Sequence, residues 1–311
     1  MSIKFIEKKN LWFFISLLFI AIGFSMIAYR ALKSEPVLDF GIDFVGGSTF
    51  ILKSEALDKS HLSKNQADIE KINLNFIQEL RQILNNLGIE KANIQITQDK
   101  EVLIKTTQME SDESVKLLAQ LRDKLGGIEV LEIDFIGPTI GAELREISLW
   151  IIFIVSIALL LYITWRFEFT FGLAALGALL HDALIVISFA AIFNIEVTVA
   201  FVAALLTVLG YSINDTIVIF DRIREDISLY RKKHFSMANI ANIAINQTLI
   251  RTINTSATTL AVIASLLVFG GVTIKDFCLV LLIGILSGTY SSIFIASPLL
   301  VVLHPSTEKN K

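Results

Sequence analysis

The sequence predicts a membrane protein: a bundle of six transmembrane helices with one α+β domain outside the membrane, inserted between spans one and two. Three observations predict it. Of 311 residues, 54% are hydrophobic and 18% charged, where a soluble domain carries about 25% charged residues. The mean hydropathy is +0.66. The charges are segregated, so the net charge of −3 says little. Six runs approach the ~20 apolar residues that a bilayer span needs, and one long stretch is soluble in character.

Span one is "LWFFISLLFIAIGFSMIA" (11–28), preceded by Lys4, Lys8 and Lys9. Its apolar run is long for a signal peptide and no A-x-A cleavage site follows. It reads as an uncleaved anchor, with the N-tail making up a 1–28 segment. Span two is "ISLWIIFIVSIALLLYI" (147–163) and span three "FGLAALGALLHDALIVISFAAIF" (171–193). Span four runs from about Val197 to Phe220, span five lies within 252–270, and span six covers 277–303. A short tail, 304–311, closes the chain.

Orientation follows from Lys and Arg in short loops. With the N-terminus inside, segments 1–10, 164–170, 221–251 and 304–311 hold twelve basic residues. The short outer loops hold only Lys275. Both termini are therefore expected in the cytoplasm and 29–146 outside.

That outer stretch has 14 Lys and Arg against 20 Asp and Glu. "GSTFILKS" (47–54) is a strand. In 67–88, Ile69, Ile72, Phe76, Leu80, Ile83 and Leu84 recur at helical spacing. "NIQITQ" and "EVLIKT" flank Asp99-Lys100 as a hairpin. "SVKLLAQLRDKLGG" is a second helix ending at Gly126-Gly127, and "IEVLEIDFIG" a last strand. This β-α-β-β-α-β order is the ferredoxin-like arrangement. The segment 224–252 is polar with scattered isoleucines. It reads either as an amphipathic helix on the membrane surface or as a loop packed on the bundle.

Several function classes lack their signatures. No phosphate-binding G-x-x-x-x-G-K-[ST] loop occurs, so no ATP hydrolysis is expected of this chain. The four histidines show no zinc spacing, and no basic tract points to nucleic acid. Cys278 is alone in an apolar run and reads as a small buried hydrophobe.

The candidate chemistry lies inside the spans. An Asp at a span centre costs about 2.5–3.5 kcal/mol. Asp215, in "GYSINDTIVIFDRIRE", arrives before the apolar run ends. It reads as a bundle-facing carboxylate or as a snorkelling end residue. Thr207, Tyr211 and Asp215 share a helix face, and Asn214 reads as a hydrogen-bond neighbour. Arg251 opens span five, followed by Thr255 and Thr259 on one face. It reads as the partner of Asp215 or as a positive-inside flank. His181 and Asp182 fall about mid-membrane in span three. Asp182 reads as a second proton site or as a structural partner of Asp215 or Asn214. His181 is expected neutral. Gly284, Gly288 and Ser292 form a small-residue packing stripe. A protonatable carboxylate in a bundle implies coupling to protons, with sodium as the alternative ion, and no other cofactor.

These motifs resemble a known family. "FGIDFVGGS", "IGPTIGAEL", "LLHD", "GYSINDTIVIFDRIRE" and "QTLIRT", in this order, resemble the SecD/SecF family of bacterial protein export. That family belongs to the resistance–nodulation–division (RND) superfamily. The resemblance implies an RND-like bundle in the bacterial cytoplasmic membrane and an accessory, non-enzymatic role in protein translocation driven by the proton gradient. It implies SecD as partner, the SecYEG channel, SecA as the ATPase, YajC or YidC as indirect associates, and unfolded polypeptides as cargo. It makes Asp215 and Arg251 the proton-relay pair and leaves Asp182 without a role. It also places Gly41, Asp43, Gly46 and Gly47 in a motif read as the junction between span one and the outer domain. The polar insert 54–71 departs from the pattern without disturbing the motifs. Two other classes stay open: a structural assembly factor of the channel, and half of an RND small-molecule exporter.

Overall fold

The computed structural model describes residues 3–54, 57, 66–89, 92–97, 101–106, 111–125, 127–230 and 235–304. The insert around 55–65, the turn at Asp99-Lys100, Gly126 and most of the C-tail lie outside the described residues. The chain forms two compact units, 1–39 with 148–311 and 40–147.

Among the described residues, six helices are long and apolar enough to cross a membrane. Span one forms a helix over Lys9–Leu32, span two over Pro138–Arg166, span three over Phe169–Phe193, span four over Val199–Tyr230 and span five over Met237–Phe269. Span six comprises helix Lys275–Ser291, a π-helical turn Ser292–Ala296 and helix Ser297–Leu303. Hydropathy marks where lipid begins and not where a helix does. Span two therefore starts at Pro138, well before the apolar run, with proline at a first helical position where its missing N–H costs nothing.

The segment 224–252 is neither a separate surface helix nor a loop. It divides between the end of span four, which continues to Tyr230, and the start of span five at Met237. Ser236 caps that start by accepting from the Asn239 N–H at 3.3 Å. Of its isoleucines, Ile240 and Ile245 are buried against the bundle core, while Ile250 is exposed. Asn242 Oδ1 accepts from the backbone N–H groups of Phe5 and Ile6 at 2.8 and 3.1 Å, tying this extension to the N-terminal residues.

Spans three, four and six form the centre. At least half of each apolar stretch is buried within the chain, against under a fifth for spans one, two and five. Small residues make this possible. A Cβ at Gly284 would come within 2.2 Å of Val208 Cγ2, and one at Gly288 within 2.8 Å of Ser212 Cβ. Spans six and four therefore meet almost backbone to backbone, as small-residue stripes allow. Gly284→Leu should push them apart at a cost of about 3 kcal/mol or more, typical of severe overpacking. The expected result is loss of the monodisperse peak in gel filtration of detergent-solubilised protein. A normal peak with unchanged melting would refute this contact.

The second unit holds a four-stranded sheet. Its strands are β1 (Gly47–Ser54), β2 (Ala92–Ile96), β3 (Glu101–Thr106) and β4 (Ile128–Ile136). Their order is β2-β3-β1-β4, with every neighbouring pair antiparallel. Helices Gln66–Asn86 and Ser111–Leu125 connect β1 to β2 and β3 to β4. Phe76, Leu80, Ile83 and Leu84 of the first and Leu117 and Leu121 of the second close over Phe50, Leu52, Val102 and Ile104. The alternating burial of β3 is the period-two pattern of a sheet with one face on a core.

The "GIDFVGG" motif belongs to this unit. Gly41 precedes a short helix, Ile42–Val45, and Gly46 and Gly47 follow with φ of 78° and 151°. Side chains at these two positions would press on Pro138 Cα at 2.9 Å and Thr106 O at 2.6 Å. Glycine serves both the backbone angle and the close approach. Asp43 sits in the first turn of that helix.

Candidate intramembrane site

Helical geometry decides which polar residues can meet. On span four, Ser212, Asp215 and Thr216 turn inward and are buried. Asn214 lies one residue from Asp215, so its side chain leaves the helix about 100° away. It is exposed and not hydrogen-bonded to Asp215. The expected neighbour is therefore not one. Of the predicted face, Tyr211 donates to Thr255 O at 2.9 Å and its oxygen lies 3.1 Å from Thr259 Oγ1. Thr207 is exposed and donates to the Ala203 carbonyl of its own helix.

Asp215 is 3% exposed. It is not a snorkelling end residue, since its carboxylate points at span five, where Ser256 Oγ donates to Oδ2 at 3.3 Å. Ser256 Oγ lies 2.6 Å from Thr289 Oγ1 on span six. One carboxylate thus joins spans four, five and six through two hydroxyls. Arg251 is exposed and lies on the same helix as Ser256, five residues before it. Arg251 and Asp215 are not in ion-pair contact among the described residues, where the carboxylate's partner is Ser256.

Asp182 is completely buried. Ser287 Oγ donates to Oδ1 at 2.7 Å, and His181 Nδ1 lies 3.1 Å from the same oxygen. Ser212 and Ser291 donate to Oδ2 at 2.6 and 2.7 Å. A carboxylate offers about four lone-pair positions, and all four are occupied. Asp182 is bonded to neither Asp215 nor Asn214. His181 stacks on Tyr290 with ring centroids 6.0 Å apart. Its Nε2 is buried without a hydrogen-bond partner among the described residues.

Sequence reasoning missed the hydroxyls that complete both sites. Ser287, Thr289, Ser291 and Ser292 all lie on one stretch of span six, "SGTYSS". The signal was present as four hydroxyl residues packed into an apolar span. Reading only Gly284, Gly288 and Ser292 as a packing stripe hid it. A further polar contact joins the ends of spans one and three. The Arg30 guanidinium donates to Asn194 Oδ1, and Asn194 ends span three in the left-handed conformation.

A six-helix bundle whose central helices bury two carboxylates among hydroxyls defines a multi-pass membrane protein with an ionisable intramembrane site. Comparison with known proteins gives the family. The family model for the protein export membrane protein SecD/SecF, C-terminal, matches residues 116–306. The protein translocase subunit SecF of Sebaldella termitidis is 38% identical over 100% of this chain and 96% of its own length. That of Desulfurispirillum indicum is 40% identical over 86% of this chain and 83% of its own. Among solved structures, SecDF of Thermus thermophilus, described as a translocon-associated membrane protein, superposes with a TM-score of 0.81 at 33% identity. The match covers 97% of this chain but only 38% of that one. SecDF in a super-membrane-facing form gives a TM-score of 0.66. The chain belongs to the SecD/SecF family of protein export membrane proteins.

Proposed function

We propose that this chain is an accessory subunit of the Sec protein translocase that couples proton movement to the export of unfolded polypeptides. The observation that carries the reading is Asp215: a carboxylate buried in the apolar bundle, held by one hydroxyl of the helix that also carries Arg251. Ionised, Asp215 attracts the guanidinium; neutral, it does not. That difference biases the packing of span five against span four, provided protons arrive from one side and leave to the other. One proton crossing 100 mV supplies about 2.3 kcal/mol, enough to shift a two-state equilibrium roughly fiftyfold. Sodium is the alternative ion.

SecD is the proposed partner. Asn214 on span four and Asn254 on span five expose amides on the bundle's outer surface. Lipid offers such groups no partners, whereas another polytopic subunit can. The relatives that match along the whole chain are named translocase subunits, and the SecDF structure holds further chain beyond the matched part. The SecYEG channel and SecA complete the assembly, with SecA supplying ATP hydrolysis and YajC or YidC associating indirectly. The reading places the chain in the bacterial cytoplasmic membrane with both termini inside. It also makes the 40–147 unit an extracytoplasmic ferredoxin-like domain, supported by its strand order and antiparallel pairing.

The pairing is tested in inverted membrane vesicles translocating a model precursor with and without a proton gradient. Asp215→Asn and Arg251→Met should each remove the gradient-dependent fraction, and the double variant should be no worse than either single one. Independent, multiplying defects would refute a shared step.

A further inference from the structure

Asp182 is hydrogen-bonded to one side of a short stretch of span six, and Asp215 reaches the other side of that stretch through Ser256 of span five. Ser287 and Ser291, four residues apart and so on one helix face, donate to Asp182. Thr289, between them and on the other face, meets Ser256, which donates to Asp215. The stretch is followed at once by the π-helical turn Ser292–Ala296. There the Ser297 hydroxyl donates to Ser292 O at 2.9 Å, and Pro298 brings no N–H of its own. Such turns are rare and frequently lie at functional sites, and they interrupt the regular α-helical bonding of the span. Ser292 is also held, its hydroxyl donating to Ser212 O at 3.3 Å and lying 2.8 Å from Thr216 Oγ1.

We infer that Asp182 is a positioning residue for the Asp215 site, acting through residues 287–291 of span six. With all four lone-pair positions filled by Ser212, Ser287, Ser291 and His181, Asp182 anchors the stretch to spans three and four. Asp215 holds the same stretch more loosely, through a 3.3 Å bond to Ser256 and then Thr289. A change of charge at Asp215 alters the grip of Ser256 and hence of Thr289. Span six then turns about its π-helical joint, and the turn strains the serines on Asp182. The anchor thereby sets how far span six moves when Asp215 changes state. The groups facing Asp182 are His181 on its own helix and the serines of spans four and six. The group facing Asp215 among the described residues is Ser256, on the helix that also carries Arg251.

This inference rests on the reading of Asp215 as a proton carrier, and its test separates the two. Amide hydrogen exchange is measured on span-six peptides covering 284–297, in the full chain with SecD in lipid nanodiscs. A single fixed pH is used, with Asp215→Asn standing for the neutral state. Asp215→Asn should speed exchange in 287–297 about tenfold. In an Asp182→Asn background exchange should already be raised, and adding Asp215→Asn should change it less than twofold. Thr289→Val, which cuts the link but spares the anchor, should also abolish the response to Asp215→Asn. Should Asp182→Asn fail to fold, Ser287→Ala or Ser291→Ala weakens the same anchor and should give a partial version of the result. Multiplying effects of the two aspartate changes, a response surviving in Thr289→Val, or no response to Asp215→Asn would each overturn the inference. The coupled exchange pattern, if accompanied by intact gradient-driven translocation in Asp215→Asn, would uphold the inference while sinking the relay.

Discussion

Asp215→Asn should abolish the gradient-dependent part of precursor translocation while leaving the ATP-driven part within about twofold of normal. The amide is nearly isosteric and still accepts the Ser256 hydroxyl bond, more weakly than a carboxylate does, so the bundle should stay folded while span six gains local freedom. What it loses is the ability to change charge. A relay built on that change then stops, whatever the gradient. In vesicles, the ratio of translocation with gradient to that without should fall to about one. Melting of the purified protein should stay near wild type, because exchanging a buried ionisable carboxyl for an amide removes no hydrogen-bond acceptor that Ser256 needs. A preserved gradient response would refute proton coupling at Asp215 and favour a structural role in channel assembly.

The spans and the elements of the sheet unit were legible because each rests on a one-dimensional signal. Apolar runs reveal lipid contact, and the periods of Phe76, Leu80, Ile83 and Leu84 or of Val102 and Ile104 reveal which face meets a core. Helix ends were not legible beyond the bilayer. Spans four and five have 32 and 33 residues, or about 50 Å at 1.5 Å each, far beyond a ~30 Å core. The excess is polar, so 224–252 looked like a separate element although most of it continues the two helices. Within the site, Asp215 stood out because a charge in an apolar run has a known cost. Ser256 was visible as part of the polar stripe after Arg251, but the span-six hydroxyls were not, because Ser and Thr in a span usually bond their own helix, as Thr258 does to Asn254 O and Ser265 to Ala261 O. Which neighbours Ser287 and Ser291 meet depends on how span six packs, against span four at Gly284 and Gly288 and against Asp182 of span three. The distance from Arg251 to Asp215 was likewise beyond sequence, since it depends on the rotation of span five.

Asp182→Ala should be the most destabilising polar substitution in the bundle. The side chain receives three serine hydroxyls and faces His181 Nδ1, with no solvent contact. Hydrogen bonds to a charged group contribute roughly 1.5–3 kcal/mol each, and a stranded buried donor costs about 1–3 kcal/mol. The losses do not simply add. Ser291 already shares its hydroxyl with Gly288 O at 3.1 Å and can fall back on it. Ser212 and Ser287 can turn to a carbonyl one helical turn back, as helix serines commonly do. His181 Nδ1 loses the oxygen it faces, and its Nε2 already has no hydrogen-bond partner among the described residues. Losing the carboxylate also leaves a void between spans three, four and six, where packing is tightest. A net cost of about 3 kcal/mol or more is expected from the stranded donors and the void together. That is a large part of the 5–15 kcal/mol that holds a typical fold together. Asp182→Asn keeps an acceptor and the volume and should cost about 1–2 kcal/mol. Thermal melting followed by gel filtration should therefore rank wild type, then Asp182→Asn, then Asp182→Ala. Equal melting of wild type and Asp182→Ala would show that the serine cluster contributes nothing to the packing of span six.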